Sequence, residues 1–134
     1  VMLGFPGETE EQFELLYDFL KNEPFDRVGA FVFCPEDGTK AALMDGQIDE
    51  ATAKARLDKI MRMQQTVSLE LNKKRIGKEY EVLIERVDKD ACYGRSYAEA
   101  PDVDGIIKII NIPASVYAKI TDASAYDLKG EFVK

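Results

Sequence analysis

The sequence has no histidine, no tryptophan and only two cysteines, Cys34 and Cys92, in 134 residues. The missing histidine removes both the commonest general base and the commonest metal ligand. Two isolated cysteines cannot build a zinc site or hold an iron–sulfur cluster, so no metal-ligating set is expected. Any complete catalysis within this stretch would rest on carboxylates, lysines or tyrosines. No apolar run approaches the roughly 20 residues of a membrane-spanning helix, and no stretch has the pattern of a secretory signal. The cysteines read as two buried or free thiols of a cytoplasmic protein rather than as a disulfide. A basic surplus is lacking too. Val1–Asn72 carries 7 basic and 14 acidic residues, and Lys73–Lys134 carries 11 of each. Binding to a nucleic-acid backbone usually calls for such a surplus, so nucleic acid is not expected as the main partner.

What is present is a globular composition, 46% apolar and 32% charged, long enough for one ordinary domain or two small ones. The chain opens VMLGFPGETEEQF. Val1 to Leu3 read as the tail of a buried strand whose beginning would lie upstream. Gly4, Pro6 and Gly7 make a turn, and Thr9 with Gln12 forms the capping box T-x-x-Q. Glu10 and Glu11 suit the positive end of the helix that follows. Phe13, Leu16, Tyr17 and Leu20 make its apolar stripe, widened by Leu15 and Phe19, which predicts a helix over 9–21. Val28 to Phe33 is a nearly unbroken apolar run, expected to be a strand buried on both faces. Together these give a βαβ unit.

Asp49 is placed to cap a second helix, with Leu57, Ile60, Gln64, Val67 and Leu71 as its stripe and Gly77 at its end. The expected span is 50–75. Asp58, Lys59 and Arg62 read as a solvated face. Beyond Gly77, YEVLIERV, ACYGRSY, GIIKII, SVYAKIT and LKGEFVK are five short β-rich runs between turn residues, which suits a small OB-like barrel. The fold class is therefore α+β in two parts, 1–72 and 73–134: a βαβ unit with a long helix, then a five-stranded antiparallel barrel.

GFPGETEEQF, FDRVGAFVFCPEDGT, ARLDKIMRMQQTVSLELN and GRSYAEAPDVDG follow one another in an order that resembles the radical-SAM methylthiotransferases. Within that family the resemblance is to the branch that modifies an aspartate of the twelfth small-subunit ribosomal protein (the RimO type). GRSYAEAPDVDG carries most of that distinction. NIPASVYAKIT departs from the family pattern in lacking a Gly-Asp turn near Pro113. The resemblance implies the end of a radical-SAM, TIM-like barrel followed by a TRAM domain. It further implies S-adenosyl-L-methionine (SAM) and two 4Fe–4S clusters in a larger parent, with the cluster-binding cysteines outside this chain.

By the same resemblance, Leu3, Gly4 and Phe33 border SAM at the barrel mouth; read alone, they are a turn and a strand end. Arg95, Tyr97, Asp102 and Asp104, with Glu99 nearby, form the second candidate. Read alone they are a hairpin with a polar loop. Arg95, Tyr93 and Tyr97 would serve RNA stacking, but the carboxylates repel phosphate and suit a basic protein such as a ribosomal protein. Two alternatives stay open: a tRNA methylthiotransferase, and an OB-like RNA- or protein-binding module with no enzymatic role.

Overall fold

Helix formation begins where the capping chemistry puts it. The computed structural model, which describes residues 1–101, 104–110 and 117–133, carries helix α1 at Glu10–Asn22. The Gln12 amide donates to Thr9 Oγ1 at 3.2 Å, and the Thr9 amide donates to Gln12 Oε1 at 3.1 Å. Both halves of the capping box are made. Strand β1 (Met2–Leu3) lies parallel to β2 (Phe31–Val32), completing the βαβ unit. Helix α2 follows at Glu50–Lys73, with the Thr52 amide donating to Asp49 Oδ1 at 2.9 Å. The chain divides into two compact units, Val1–Val67 and Ser68–Lys134.

In the first unit Leu3, Phe13, Leu20 and Ile60 form the core, flanked by Leu16, Tyr17, Val28 and Leu57. Two expectations are corrected here. The run at Val28 to Phe33 is not buried on both faces: Phe31 is 55% exposed. Cys34, just beyond it, is an exposed free thiol. Two strands of two residues each offer too little neighbouring structure to cover both faces of a sheet. Leu15 and Phe19 stand exposed, because a helix buries one stripe and these two lie beside it.

The buried face of α2 keeps Ile60 and Gln64 of the expected stripe but is otherwise turned from it. It runs through Ala53, Arg56, Ile60, Gln64, Ser68 and Asn72, and four of those six are polar. Leu57, Val67 and Leu71 are its half-buried flank. The polar members have partners to match: Gln64 Nε2 donates to Phe25 O at 3.0 Å, and Asn72 Nδ2 donates to Ser124 O at 3.0 Å.

The second unit is a curled β-sheet. Its first run breaks at Val82 into β3 (Glu79–Glu81) and β4 (Leu83–Val87), so the five runs give six strands. β5 (Ala91–Arg95), β6 (Ile107–Ile110), β7 (Tyr117–Ala123) and β8 (Leu128–Phe132) complete it. The order is β3-β7-β8-β6-β5-β4, so the two outermost strands are chain neighbours. The sheet is not wholly antiparallel: β8 lies between β7 and β6 and runs parallel to β6. Strand order is not written in alternation, which is why the sequence pattern missed it. Val82, Cys92, Ile107, Ile109, Ala118, Ile120 and Leu128 form the core, with Tyr80 and Ile84 packed against it. Gly94 makes the curl possible, since a Cβ there would lie 2.3 Å from Leu83 O. The loop around Pro113 lies outside the described residues.

Candidate functional site

Two places gather the residues that the sequence singled out, one in each unit. In the first unit the GFPGE turn is tied down by a carboxylate. Gly4 has φ +74°, and its N–H donates to Glu8 Oε2 at 3.1 Å. Glu8 Oε1 accepts from Arg56 Nη1 at 2.5 Å, and Arg56 Nη2 donates to Glu10 Oε2 at 2.9 Å. Burial pulls the Arg56 pKa down, but Glu10 and Glu8 outweigh it and leave it above the usual value. A side chain on Gly4 would collide with α2, its Cβ 2.6 Å from that of Ala53. The Phe33 amide donates to Leu3 O at 2.8 Å, and the Phe33 ring meets Phe5 edge-on at 5.2 Å.

Leu3, Gly4 and Phe33 are thus brought together. Their availability differs: Leu3 and Gly4 are buried, backbone included. Phe33 is half-buried and lines a shallow cavity of about 360 Å³ with Met2, Phe31, Val32 and Cys34. Glu8 and Arg56 were missed by the sequence reading. Glu8 sits inside GFPGE, but its partner is 48 residues away.

In the second unit the candidates cluster where β5 ends. Arg95 Nε donates to Glu85 Oε1 at 2.6 Å. Tyr97 is 91% exposed, with its ring 6.3 Å from that of Tyr80. Asp104 Oδ2 accepts from the Ala100 amide at 2.8 Å, which closes the loop that it ends. Asp102 lies outside the described residues.

Glu99 is a correction. It is not a surface carboxylate beside the others but is buried, 4% exposed, and paired with Arg75 Nη1. Glu99 Oε2 also accepts from the Ser96 amide at 2.9 Å and from Ser96 Oγ at 2.6 Å. Arg75 Nη2 donates to Ser96 Oγ at 2.9 Å, and the Arg75 guanidinium lies 4.6 Å from the Tyr80 ring centre. Desolvation pushes the Glu99 carboxyl up, but the Arg75 guanidinium and the Ser96 donors together hold it below the usual carboxylate range.

Tyr97, Ser96 and Arg95 line a groove of about 430 Å³ with Glu81, Leu83 and Ile84. Tyr93 is not part of it. Its ring is covered by Arg86 at 4.0 Å and approached by Lys108 at 5.8 Å. Among the described residues no three His, Cys, Asp or Glu side chains come together as a metal-binding group. Their two cysteines are both free, Cys34 exposed and Cys92 buried.

Comparison with known proteins adds to this geometry. The TRAM domain family matches residues 76–133. Over 99% of its length the chain is 48% identical to a ribosomal protein uS12 methylthiotransferase RimO of Dictyoglomus thermophilum. The corresponding proteins of Carboxydothermus hydrogenoformans and Clostridium perfringens are 45% and 46% identical over 98% and 97% of it. The chain belongs to the RimO-type methylthiotransferase family. It spans 30–32% of the length of these three RimO relatives. The TRAM match takes in every strand from β3 to β8 and the whole Ser96–Glu99 turn. The GFPGE turn of this RimO-type chain lies outside it.

Proposed function

We propose that this chain is the C-terminal part of an enzyme that places a methylthio group on an aspartate of ribosomal protein uS12. The carrying observation is the 48% identity, over nearly the whole chain, to a protein named for acting on uS12. In this reading 1–72 is the end of a radical-SAM barrel with its long helix, and 73–134 is an OB-like TRAM domain that holds the protein substrate. The adjacency of the two outermost strands supports a five-stranded barrel in which β3 and β4 are one bent strand. Arg95, Tyr97, Asp102 and Asp104 are assigned to the substrate side. The partner is uS12 or the ribosome, which places the enzyme in the cytoplasm. No helix among the described residues is long and apolar enough to cross a membrane.

SAM and two 4Fe–4S clusters belong to the whole enzyme in this reading. The two free thiols here, one in each unit, do not fit a cluster site, and no step is assigned to them. The turn fits the border of a SAM site better. The half-buried Phe33 ring offers an apolar shelf beside the exposed rim of β2, with the buried Leu3 and Gly4 supporting it from behind. When bound, SAM would supply the radical and the methyl group. This chain's part is to hold the shelf in place through Glu8 and Arg56.

Mass spectrometry of uS12 after incubation with the full-length enzyme tests the reading. A methylthio group on one aspartate is expected. Unmodified uS12 alongside methylthiolated tRNA would assign the chain to the tRNA branch instead. The 134-residue chain alone is expected to stay colourless after anaerobic reconstitution with iron and sulfide, and a stable brown chromophore would contradict the assignment of its thiols.

A further inference from the structure

The turn after β5 buries its two ends and exposes the residue beside the first. Ser96 and Glu99 are each 4% exposed, while Tyr97 is 91% exposed. An exposed tyrosine in a loose loop loses conformational freedom when it binds, and that loss opposes association. Here the backbone on either side is already fixed. The Ser96 amide and hydroxyl hold Glu99, the Ala98 amide donates to Ser96 Oγ at 3.3 Å, and Arg75 grips both Ser96 and Glu99. Behind the ring, Tyr80 leans on Tyr97 at an interplanar angle of 39° and is itself covered by Arg75. A dry ion pair is a costly way to hold a surface turn, and it does little for stability over an apolar equivalent. Its return is a preorganised aromatic ring, the kind of residue that dominates interfaces.

The groove beside the ring defines what it takes. Leu83, 58% exposed, supplies an apolar wall, with the half-buried Ile84 at its edge. Arg95 is already neutralised by Glu85 at 2.6 Å. That leaves Glu81 on the rim as a carboxylate with no ion-pair partner among the described residues. An aliphatic stem with a cationic tip matches this surface: stem on Leu83, cation against Tyr97 and Glu81. We propose that Tyr97 anchors the partner surface, that Arg75 and Glu99 are its positioning residues, and that the groove receives a lysine or arginine side chain of a basic protein. This rests on the reading that the second unit holds a protein substrate.

The test is titration of fluorescently labelled uS12 with the 134-residue chain. Tyr97→Ala should weaken binding about tenfold, about 1.4 kcal/mol, while Tyr97→Phe stays within about twofold. Glu81→Lys should weaken it in the same direction as Tyr97→Ala. Because Tyr97 is exposed, its removal should leave the melting temperature nearly unchanged. For the positioning residues, Glu99→Gln at a temperature where the fold is retained should shift the Tyr97 ring resonances and leave those of Tyr93 in place. Unchanged affinity of Tyr97→Ala where the native chain binds would overturn the anchor and leave the substrate-holding role standing. A native chain that does not bind uS12 would overturn both. Tyr97-dependent binding of a 16S ribosomal RNA fragment, with uS12 ignored, would overturn the partner class.

Discussion

Each unit contains a buried arginine paired with carboxylates, and the two pairs sit in opposite surroundings. Arg56 bridges Glu8, whose side chain is 14% exposed, and Glu10, which is 64% exposed. Arg75 meets Glu99, whose side chain is 2% exposed. The first site opens to water on its Glu10 side, whereas the carboxylate of the second is closed off from it. Among the described residues the core clusters differ in the same sense: four buried side chains pack together in the first unit and seven in the second. Charge pairing near water adds little stability, because solvent screens it and the freed groups rehydrate. In a dry setting the pair itself also adds little, but breaking it is expensive, because a charge is stranded. Similar chemistry therefore yields a tolerant clamp in one unit and a brittle one in the other.

The sharpest way to break this comparison is to remove one member of each pair. Glu99→Ala should destabilise the second unit by about 3–5 kcal/mol, because Arg75 keeps its charge and loses its partner. Five of the six tyrosines lie beyond residue 68, so tyrosine fluorescence during urea unfolding reads mainly that unit. A change below about 1 kcal/mol would show that water reaches Arg75. Acid should then separate the units by a smaller margin. Glu99 is held below its ordinary value of 4.5, so its contribution is intact above that value and fades as pH falls through the depressed one. Protection of the amides around Ser96 to Glu99, relative to their intrinsic exchange rates, should fall only in that acid window; a fall already near pH 6 would contradict the sign. The smallest effect is expected at Glu10→Ala, no more than about 1 kcal/mol, since its carboxylate is mostly solvated. A larger loss, read from exchange in α1, would make the first clamp as brittle as the second.

Much of the frame was legible because local rules governed it. Thr9 and Gln12 made the box they promised, Asp49 capped α2, and all five β-rich runs became strands. What could not be read depended on distance or on neighbours. Phe31 and Cys34 have the composition of a buried strand, but burial needs layers on both sides, and composition cannot supply them. Glu99 shares a polar loop with Asp104 and looks no different in sequence. Its burial comes from Arg75, 24 residues earlier, at the end of the long helix. The polar face of α2 was hidden for the same reason, since Arg56 and Asn72 are buried only because Glu8 and the Ser124 carbonyl reach them. At the candidate sites, the grouping of Leu3, Gly4 and Phe33 came from the family resemblance, and the pairing of β1 with β2 brings the three together. The division of labour between exposed Tyr97 and buried Glu99 did not follow from any pattern.

Val82 joins two outermost strands without interrupting the alternation that runs from Tyr80 through it to Ile84. The extra residue is taken up just beyond, at Glu85, where the pairing with β5 slips between Ile84 and Arg86. The distance from Tyr80 to Ile84 is thus a phase as well as a length. Losing one residue between them would turn Leu83 inward and Ile84 outward, thinning the sheet's core and erasing the groove wall in a single event. Substitutions can accumulate along this stretch one by one, whereas a change in residue count cannot be absorbed gradually. In this family the spacing from Tyr80 to Ile84 should be kept more strictly than the identity of any one exposed residue within it.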